Sequence, residues 1–269
     1  MNRKIDRLLL TTALLLAVAS LRCPSKATVV VARPELPAAD ITVAQDGSTD
    51  YETISDALDD AEADDVILIK PGVYKEDIEI DEDAGPFTLV GEDPATTVID
   101  ADGAYAALTL KSSGNHISGL TLKGGESHGL YIPGGEQEID YCLITGNGDR
   151  GIYISTMSGS GSATIDHCTI AGNKISAIYC ANKDEKTTIT NSIFADNKRS
   201  LIYDGDGLNV VVKYTCLHST DTDSDEPKSG SNNFRKDPKF KDSENGNYKL
   251  KPGSPCLRAA KDGSNMGCF

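Results

Sequence analysis

The sequence predicts an all-β protein, a single-stranded right-handed parallel β-helix of about seven coils with an N-terminal capping helix. Three observations predict this fold class: a repeat of 22 to 26 residues, short β-branched runs within each repeat, and a composition with 25 glycines and no tryptophan. Such short strands bury too little surface alone. Successive repeats must therefore stack, each strand pairing with its copy in the next coil.

Two motifs define the repeat. The first occurs five times, with starts 22, 26, 24 and 23 residues apart, in Ile117–Leu122, Ile139–Ile144, Ile165–Ile170, Ile189–Phe194 and Val212–Leu217. The second follows the first four copies, in Gly129–Ile132, Gly151–Ile154, Ala177–Cys180 and Leu201–Asp204. Between them Asn147, Asn173 and Asn197 recur in register, with Gly125 in the same place one repeat earlier. Helical repeats do not have this pattern of short β-branched runs.

The N-terminus predicts export. Three basic residues precede the apolar stretch Leu8–Leu21, and small residues follow at Ser25 and Ala27. This order is typical of a signal peptide over residues 1–27. The alternative is a membrane anchor, for which the apolar run is short. We expect a secreted, periplasmic or cell-surface protein with no integral membrane segment after cleavage.

Three further segments follow the signal peptide. Residues 28–64 form an N-terminal segment with the capping helix, in which Ile54, Ala57, Leu58 and Ala61 share one apolar face. Residues 65–220 form the β-helix. Residues 221–269 form an acidic loop and a closing segment that covers the far end of the stack, which would otherwise pair with other chains.

Two stretches resemble a known superfamily. Tyr51–Ile80 resembles the opening of the pectate-lyase-like right-handed β-helix superfamily, and Asp237–Ala259 is similar to the ending of its secreted bacterial members. The resemblance implies the fold. It implies no single activity, because this scaffold hosts lyases, hydrolases, epimerases and non-catalytic binders. The paired-aspartate motif of polygalacturonases and the DPHD-type motif of alginate epimerases are absent from the sequence.

The charge balance restricts the partners. With 41 acidic and 26 basic residues the chain carries a net charge of −15, which excludes a sequence-independent grip on nucleic acid. A polyanionic sugar would be repelled unless Ca²⁺ or a local basic patch intervenes. We expect a monomer that interacts with polysaccharide.

A column of tyrosines is the strongest candidate binding surface. Alternation points Tyr131, Tyr153, Tyr179 and Tyr203 outward on successive coils. Sugar rings pack against aromatic faces. Alternatively, the aligned tyrosines stabilise one another across strands. Three cations in the preceding turns would add to a substrate-binding surface: Lys174, Lys198 and Arg199.

The catalytic candidates lie beside that column. A polyuronate lyase needs a base for the C5 proton and positive charge for the neighbouring carboxylate. Arg150 is the leading candidate for the base, with Asp149 next to it and His128 one coil away. The alternative is that Arg150 is a solvated turn residue.

A second column contains two carboxylates. Asp140 and Asp166 occupy the same position in neighbouring coils, about 5 Å apart, which suits a shared Ca²⁺ or a retaining glycosidase pair. The alternative is two solvated side chains.

Cysteines add a structural expectation. Cys256 and Cys268 are predicted to form a disulfide within the closing segment. The pairing of Cys142, Cys168, Cys180 and Cys216 stays open.

Three functions remain. The first is a polysaccharide-active enzyme, with a polyuronate lyase favoured over a glycoside hydrolase. The second is a non-catalytic carbohydrate binder, and the third is a structural surface protein.

Overall fold

The computed structural model describes residues 35–157, 161–181, 185–203, 209–219 and 230–269. The predicted signal peptide and most of the predicted acidic loop lie outside these ranges. Within them the chain coils around three parallel sheets, so the predicted parallel β-helix of about seven coils is confirmed.

Sheet A is the longest of the three, with eight strands. Numbered in chain order and listed as they pair, its strands are β1 (Ile41–Val43), β2 (Val66–Ile69), β5 (Thr88–Gly91), β8 (His116–Ser118), β11 (Glu136–Asp140), β14 (Ser162–Asp166), β17 (Thr187–Thr190) and β20 (Val210–Lys213). The stack begins at β1, before the boundary at residue 65 that the sequence predicted, because Ile41–Val43 pairs with Ile67–Ile69.

Sheets B and C complete each coil. Sheet B contains β3 (Gly72–Lys75), β6 (Thr97–Asp100), β9 (Thr121–Lys123), β12 (Leu143–Thr145), β15 (Thr169–Ala171), β18 (Ile193–Asn197) and β21 (Cys216–Ser219). Sheet C contains β4 (Ile78–Ile80), β7 (Ala106–Leu110), β10 (His128–Ile132), β13 (Arg150–Ile154), β16 (Ser176–Cys180) and β19 (Arg199–Tyr203).

The core consists of columns of like residues. The branched residues that open the first motif pair in register from coil to coil and are almost fully buried: Ile117, Ile139, Ile165, Ile189 and Val212. Burying one such side chain contributes roughly 1.5–3 kcal/mol. The repeat therefore persists because each copy fills the same place in one continuous core.

A tight corner divides the first motif. Its third residue has left-handed backbone geometry in every copy, with φ of 66° at Gly119, 48° at Tyr141, 46° at His167, 51° at Asn191 and 49° at Tyr214. The motif thus spans the end of sheet A and the start of sheet B. Left-handed geometry is uncommon for tyrosine and histidine, so the neighbouring coils must hold it in place.

An asparagine ladder occupies the turn between sheets B and C, where the sequence placed the recurring asparagines. The Nδ2 of Asn147 donates to the Oδ1 of Asn173 at 2.9 Å, and the Nδ2 of Asn173 donates to the Oδ1 of Asn197 at 3.0 Å. All three residues are buried. Gly125, one coil earlier, donates its backbone N–H to Asn147 at 3.0 Å.

The N-terminal cap is the predicted helix. Helix α1 (Ile54–Asp60) begins after Thr53, whose hydroxyl accepts from the Asp56 N–H at 3.1 Å as an N-cap. Ile54 and Ala57 are buried in the core, and Leu58 and Ala61 pack against it.

At the far end the chain folds back against the stack. An antiparallel hairpin of β22 (Phe240–Asp242) and β23 (Asn247–Leu250), joined by a 3₁₀ turn at Ser243–Asn245, lies in the predicted closing segment. Within the part of the chain described, no helix combines the length and the apolar character that a membrane span requires.

Candidate functional site

Three of the four predicted tyrosines form a column on the outer side of sheet C. Tyr131 pairs in register with Tyr153, and Tyr153 with Tyr179. The Tyr131 and Tyr153 rings are stacked with centroids 5.3 Å apart, and the Tyr153 and Tyr179 rings meet edge to face at 5.4 Å. All three side chains are half-buried, so each ring keeps an accessible part.

The backbone register at Tyr203 differs from the predicted one, and the substrate-binding role of Tyr203 stays a prediction. The backbone register pairs Tyr179 with Ile202 and places Tyr203 opposite Cys180. The cause is a shorter turn, because β19 starts two residues after Asn197, whereas β16 starts three after Asn173. The tyrosine column therefore ends at Tyr179.

A different tyrosine extends the column at its other end. Tyr105, in the turn before β7, contacts Tyr131 edge to face at 5.6 Å and is 50% exposed. It lies outside the second motif, so the repeat gave no signal for it. We call Tyr105, Tyr131, Tyr153 and Tyr179, together with Arg150, the tyrosine face.

Arg150, which the sequence placed in a turn beside the column, is the first residue of β13. Its guanidinium carbon is 5.1 Å from the ring centroid of Tyr153 and 4.7 Å from that of Tyr179, within cation–π range. No carboxylate of the described residues pairs with it. In a chain with a net charge of −15 this cation is therefore held by aromatic rings rather than neutralised.

His128 is next to Arg150 but is enclosed. It pairs in register with Arg150 and is 1% exposed. Its Nε2 is hydrogen-bonded to the Tyr105 hydroxyl at 3.2 Å. Burial, and then the positive charge of Arg150, lower the pKa of His128 to about 4. It is therefore neutral at pH 7 and supports the face from beneath.

Several buried polar atoms lie along the start of these strands. His128 Nδ1, Arg150 Nε and Ser176 Oγ have no hydrogen-bond partner among the described residues, although His128, Arg150 and Ser176 are neighbours in register. Buried polar groups without partners are uncommon in folded proteins and are more frequent at functional sites. These unpaired atoms lie along the strands that carry the tyrosine face.

The other predicted charges surround the same edge. Arg199 follows Ser176 in register and is half-buried, while Lys174 and Lys198 are exposed in the adjoining turns. Asp149 is half-buried beside Arg150, where its negative charge acts to raise the pKa of His128. These predicted charges thus lie at the starts of neighbouring strands of sheet C or in the turns that precede them. Their catalytic and binding roles stay predictions.

The two carboxylates of the second predicted site lie in register, but each is hydrogen-bonded to a different histidine. Asp140 pairs with Asp166 in the neighbouring strand. The Oδ2 of Asp140 is 3.1 Å from His116 Nε2, and the Oδ2 of Asp166 is 2.7 Å from His167 Nδ1. No group of three or more His, Cys, Asp or Glu suited to a metal ion occurs among the described residues. Calcium binding at Asp140 and Asp166 stays a prediction.

Asp166 has the pKa of a structural carboxylate rather than that of a general acid. Burial raises its pKa, but hydrogen bonds from His167, Thr190 and Asn191 outweigh burial, and the net shift is downward. A glycosidase pair contains a general acid with a raised pKa and an ionised partner. The glycosidase role of Asp140 and Asp166 stays a prediction.

A hydrogen-bonded chain links Asp166 to the closing segment. His167 Nε2 is 2.8 Å from Ser264 Oγ, which in turn donates to Asp262 Oδ1 at 2.6 Å. Asp166, His167 and Ser264 have the order of a catalytic triad. However, the Ser264 hydroxyl donates to the Asp262 carboxylate, and His167 and Ser264 are buried. These hydrogen bonds therefore hold the closing segment against the stack.

The predicted Cys256–Cys268 disulfide is not formed. Both residues are thiols, as are the other four described cysteines. The Cys256 thiol interacts with that of Cys216 in β21, which raises the pKa of Cys256. The Cys268 backbone N–H donates to Thr169 in β15. Cys216 and Thr169 lie two coils apart in sheet B.

Comparison with known proteins gives two family matches. The model described as "Right handed beta helix region" matches residues 105–246, which include the tyrosine face. The model described as "Pectinesterase" matches residues 40–122, which precede most of that face.

One curated relative and several solved structures are similar. The putative pectinesterase/pectinesterase inhibitor 28 of Arabidopsis thaliana is 37% identical over 70 residues, which are 24% of this chain and a tenth of the relative's length. The Escherichia coli protein ybhc has a TM-score of 0.53 at 13% identity, covering 88% of this chain and 85% of its own. Pectin methylesterase PemA from Erwinia chrysanthemi has a TM-score of 0.51 at 18% identity, covering 81% and 76%.

These structural similarities show the fold. The pectinesterase model and the Arabidopsis relative each match less than a third of this chain. The "Right handed beta helix region" model spans more than half of the sequence and the coils that carry the tyrosine face. The chain therefore belongs to the right-handed β-helix family.

Proposed function

We propose that the tyrosine face binds a uronate-containing polysaccharide, with pectin as the first candidate. The observation that carries the proposal is Arg150, a cation in contact with two tyrosine rings and with no carboxylate partner among the described residues. A planar guanidinium suits a carboxylate, which it can hold through two parallel hydrogen bonds.

The shape of the face supports a sugar chain as the ligand. The rings of Tyr131, Tyr153 and Tyr179 follow one another at the strand spacing, giving a strip about 10 Å long that runs along the stack axis. Sugar rings stack on aromatic faces while tyrosine hydroxyls hydrogen-bond to them. Tyr105 lengthens the strip by one further ring.

Charge explains how an acidic protein could bind an acidic polymer. Lys174, Lys198 and Arg199 lie at the edge of the strip near Arg150, so the local field is less negative than the net charge suggests. Pectin is the first candidate because the pectinesterase model matches residues 40–122. Binding should weaken as salt increases, since exposed charges are screened.

Turnover is a second candidate, and the same matches favour ester hydrolysis over elimination. The model and the Arabidopsis relative carry the name pectinesterase, whereas a lyase base at Arg150 rests on the sequence pattern alone. Ester hydrolysis would release methanol and acid from methylated pectin. Elimination would produce a double bond that absorbs in the ultraviolet.

The test measures binding and turnover side by side. Purified protein is titrated calorimetrically with polygalacturonate oligomers, methyl-esterified pectin oligomers and a neutral glucan, with and without Ca²⁺. We expect binding of the uronate oligomers and none of the glucan. Methanol release and ultraviolet absorbance are followed with the same samples.

Variants locate the binding site. Tyr153→Ala combined with Tyr179→Ala should abolish measurable binding, whereas Tyr141→Ala, a half-buried tyrosine at the corner between sheets A and B, should leave it unchanged. Circular dichroism verifies that each variant is folded. Uronate binding that survives the double substitution, or no binding of any uronate oligomer, would overturn the proposal.

A further inference from the structure

We propose that Cys216 and Cys256 are a disulfide-forming pair that joins the last coil of the β-helix to the closing segment. The two residues are 40 positions apart in the sequence, yet both are buried in one apolar cluster and each thiol perturbs the pKa of the other. Cys216 lies at the start of β21, the last strand of sheet B, and Cys256 lies in the segment that follows the hairpin.

The surroundings hold the two thiols together. The backbone at Phe234 forms a bridge with Cys216, and the carbonyl oxygen of Lys236 is 3.1 Å from Cys216 Sγ. Cys256 is fixed on its own side, because its N–H donates to Ser254 Oγ at 3.1 Å and its carbonyl accepts from Met266 at 3.0 Å. Both cysteines are fully buried in one apolar cluster that contains Phe240 and Tyr248. A bond between them would therefore fix contacts that already exist.

The two thiols are also chemically unequal. The interaction with Cys256 holds the pKa of Cys216 below that of an ordinary thiol, while the same interaction and then burial raise the pKa of Cys256. We assign Cys216 the role of the attacking thiol.

A second thiol pair provides an internal comparison. Cys142 and Cys168 are fully buried in the core on neighbouring coils, and burial, followed by the interaction with Cys142, raises the pKa of Cys168. The closing segment does not contribute to that pair. Cys142 and Cys168 should therefore remain reduced when Cys216 and Cys256 are joined. An oxidant can reach Cys216 and Cys256 while the closing segment is undocked.

The reaction is a thiol–disulfide exchange. The Cys216 thiolate attacks a disulfide-bearing oxidant, such as glutathione disulfide, and one thiol of that oxidant leaves. The Cys256 thiol then loses its proton and attacks the mixed disulfide, releasing the second thiol. Two protein thiols are oxidised, one oxidant disulfide is reduced to two thiols, and the two protons lost by the protein thiols are taken up by those two released thiols.

The test uses the full chain, folded under reducing conditions and then incubated with a glutathione redox buffer. Free thiols are alkylated in denaturant, and peptides are mapped by mass spectrometry without reduction. We expect one linked peptide pair that contains Cys216 and Cys256, with Cys142 and Cys168 alkylated. The cross-link closes a loop of about 40 residues and should raise the Tm by about 10 °C.

Two variants separate the cross-link from other effects. Cys256→Ser should abolish both the linked peptides and the rise in Tm on oxidation, whereas Cys268→Ser should retain both. Linked peptides that join Cys256 to Cys268, or complete alkylation of Cys216 and Cys256 after oxidation, would overturn the proposal. Peptide mapping of the unsubstituted chain decides the matter even where a variant does not fold.

Discussion

The guanidinium of Arg150 lies over the ring of Tyr179, one coil further along the stack, with its central carbon 4.7 Å from the ring centroid. The same guanidinium is 5.1 Å from the Tyr153 centroid, so two coils hold one cation. Aromatic contact fixes the orientation of the guanidinium plane without consuming its charge. That combination suits recognition of a carboxylate on a sugar ring.

We expect Arg150→Gln to weaken binding of polygalacturonate oligomers by roughly 10- to 100-fold at low salt, since it removes a charge-assisted hydrogen bond. Arg150→Lys should recover only part of the loss, because an ammonium lacks the planar fork. Calorimetry at two salt concentrations measures both effects.

Arg258→Gln serves as the matched control, since Arg258 is exposed in the closing segment, away from the tyrosine face. It should bind like the unsubstituted chain. Equal losses in the Arg150 and Arg258 variants would mean that net charge, rather than the site, governs binding.

His128 should make stability depend on pH. Its pKa is about 4 in the folded state against 6.5 for an ordinary histidine, so the unfolded chain takes up the proton first as the pH falls. Stability is therefore lost progressively from about pH 6.5 down to about pH 4, and the loss at pH 5 is roughly 2 kcal/mol.

Urea unfolding at pH 7 and pH 5 checks this expectation. His128→Gln should remove most of the pH-dependent difference, whereas His218→Gln, a half-buried histidine in β21, should keep it. A difference that is unchanged in His128→Gln would assign it to other groups.

Asn173 should be the most costly position in the asparagine ladder to change. Its Oδ1 accepts from both nitrogens of Asn147, and its Nδ2 donates to the Ile144 carbonyl and to Asn197. Asn173→Ala leaves these buried groups without partners and should cost roughly 2–4 kcal/mol in unfolding free energy. Denaturant titration measures it, with the exposed Asn245→Ala as a control that should change stability by no more than about 0.5 kcal/mol.

Ser264→Ala should loosen the closing segment. If the protein hydrolyses esters, this substitution should not abolish that activity. The substitution removes the link between His167 and Asp262, so amide exchange should quicken over residues 254–269. Ser231→Ala, an exposed serine, should leave exchange unchanged. Loss of measurable esterase activity in Ser264→Ala would instead indicate that Asp166, His167 and Ser264 act as a catalytic triad.

Much of the architecture was accessible from the sequence because it is local and periodic. The columns of isoleucine, the asparagine ladder and the register of Tyr131, Tyr153 and Tyr179 each repeat at a spacing that stacking preserves. The capping helix was equally readable, since Ile54 and Ala57 show its apolar face in one turn. These features depend only on residues that lie close in sequence or one period apart.

The features that do not recur from one repeat to the next were decided by tertiary structure. One residue fewer in the turn after Asn197 moves Tyr203 out of the column, although its sequence motif matches the others. Tyr105 joins the tyrosine face from a turn that no motif marks. Cys256 shares an apolar cluster with Cys216 of the last coil, because the closing segment docks across several coils. Contacts between distant segments depend on where the chain turns. The repeat therefore predicted the stack of coils, whereas only the tertiary structure decided which distant residues contact one another.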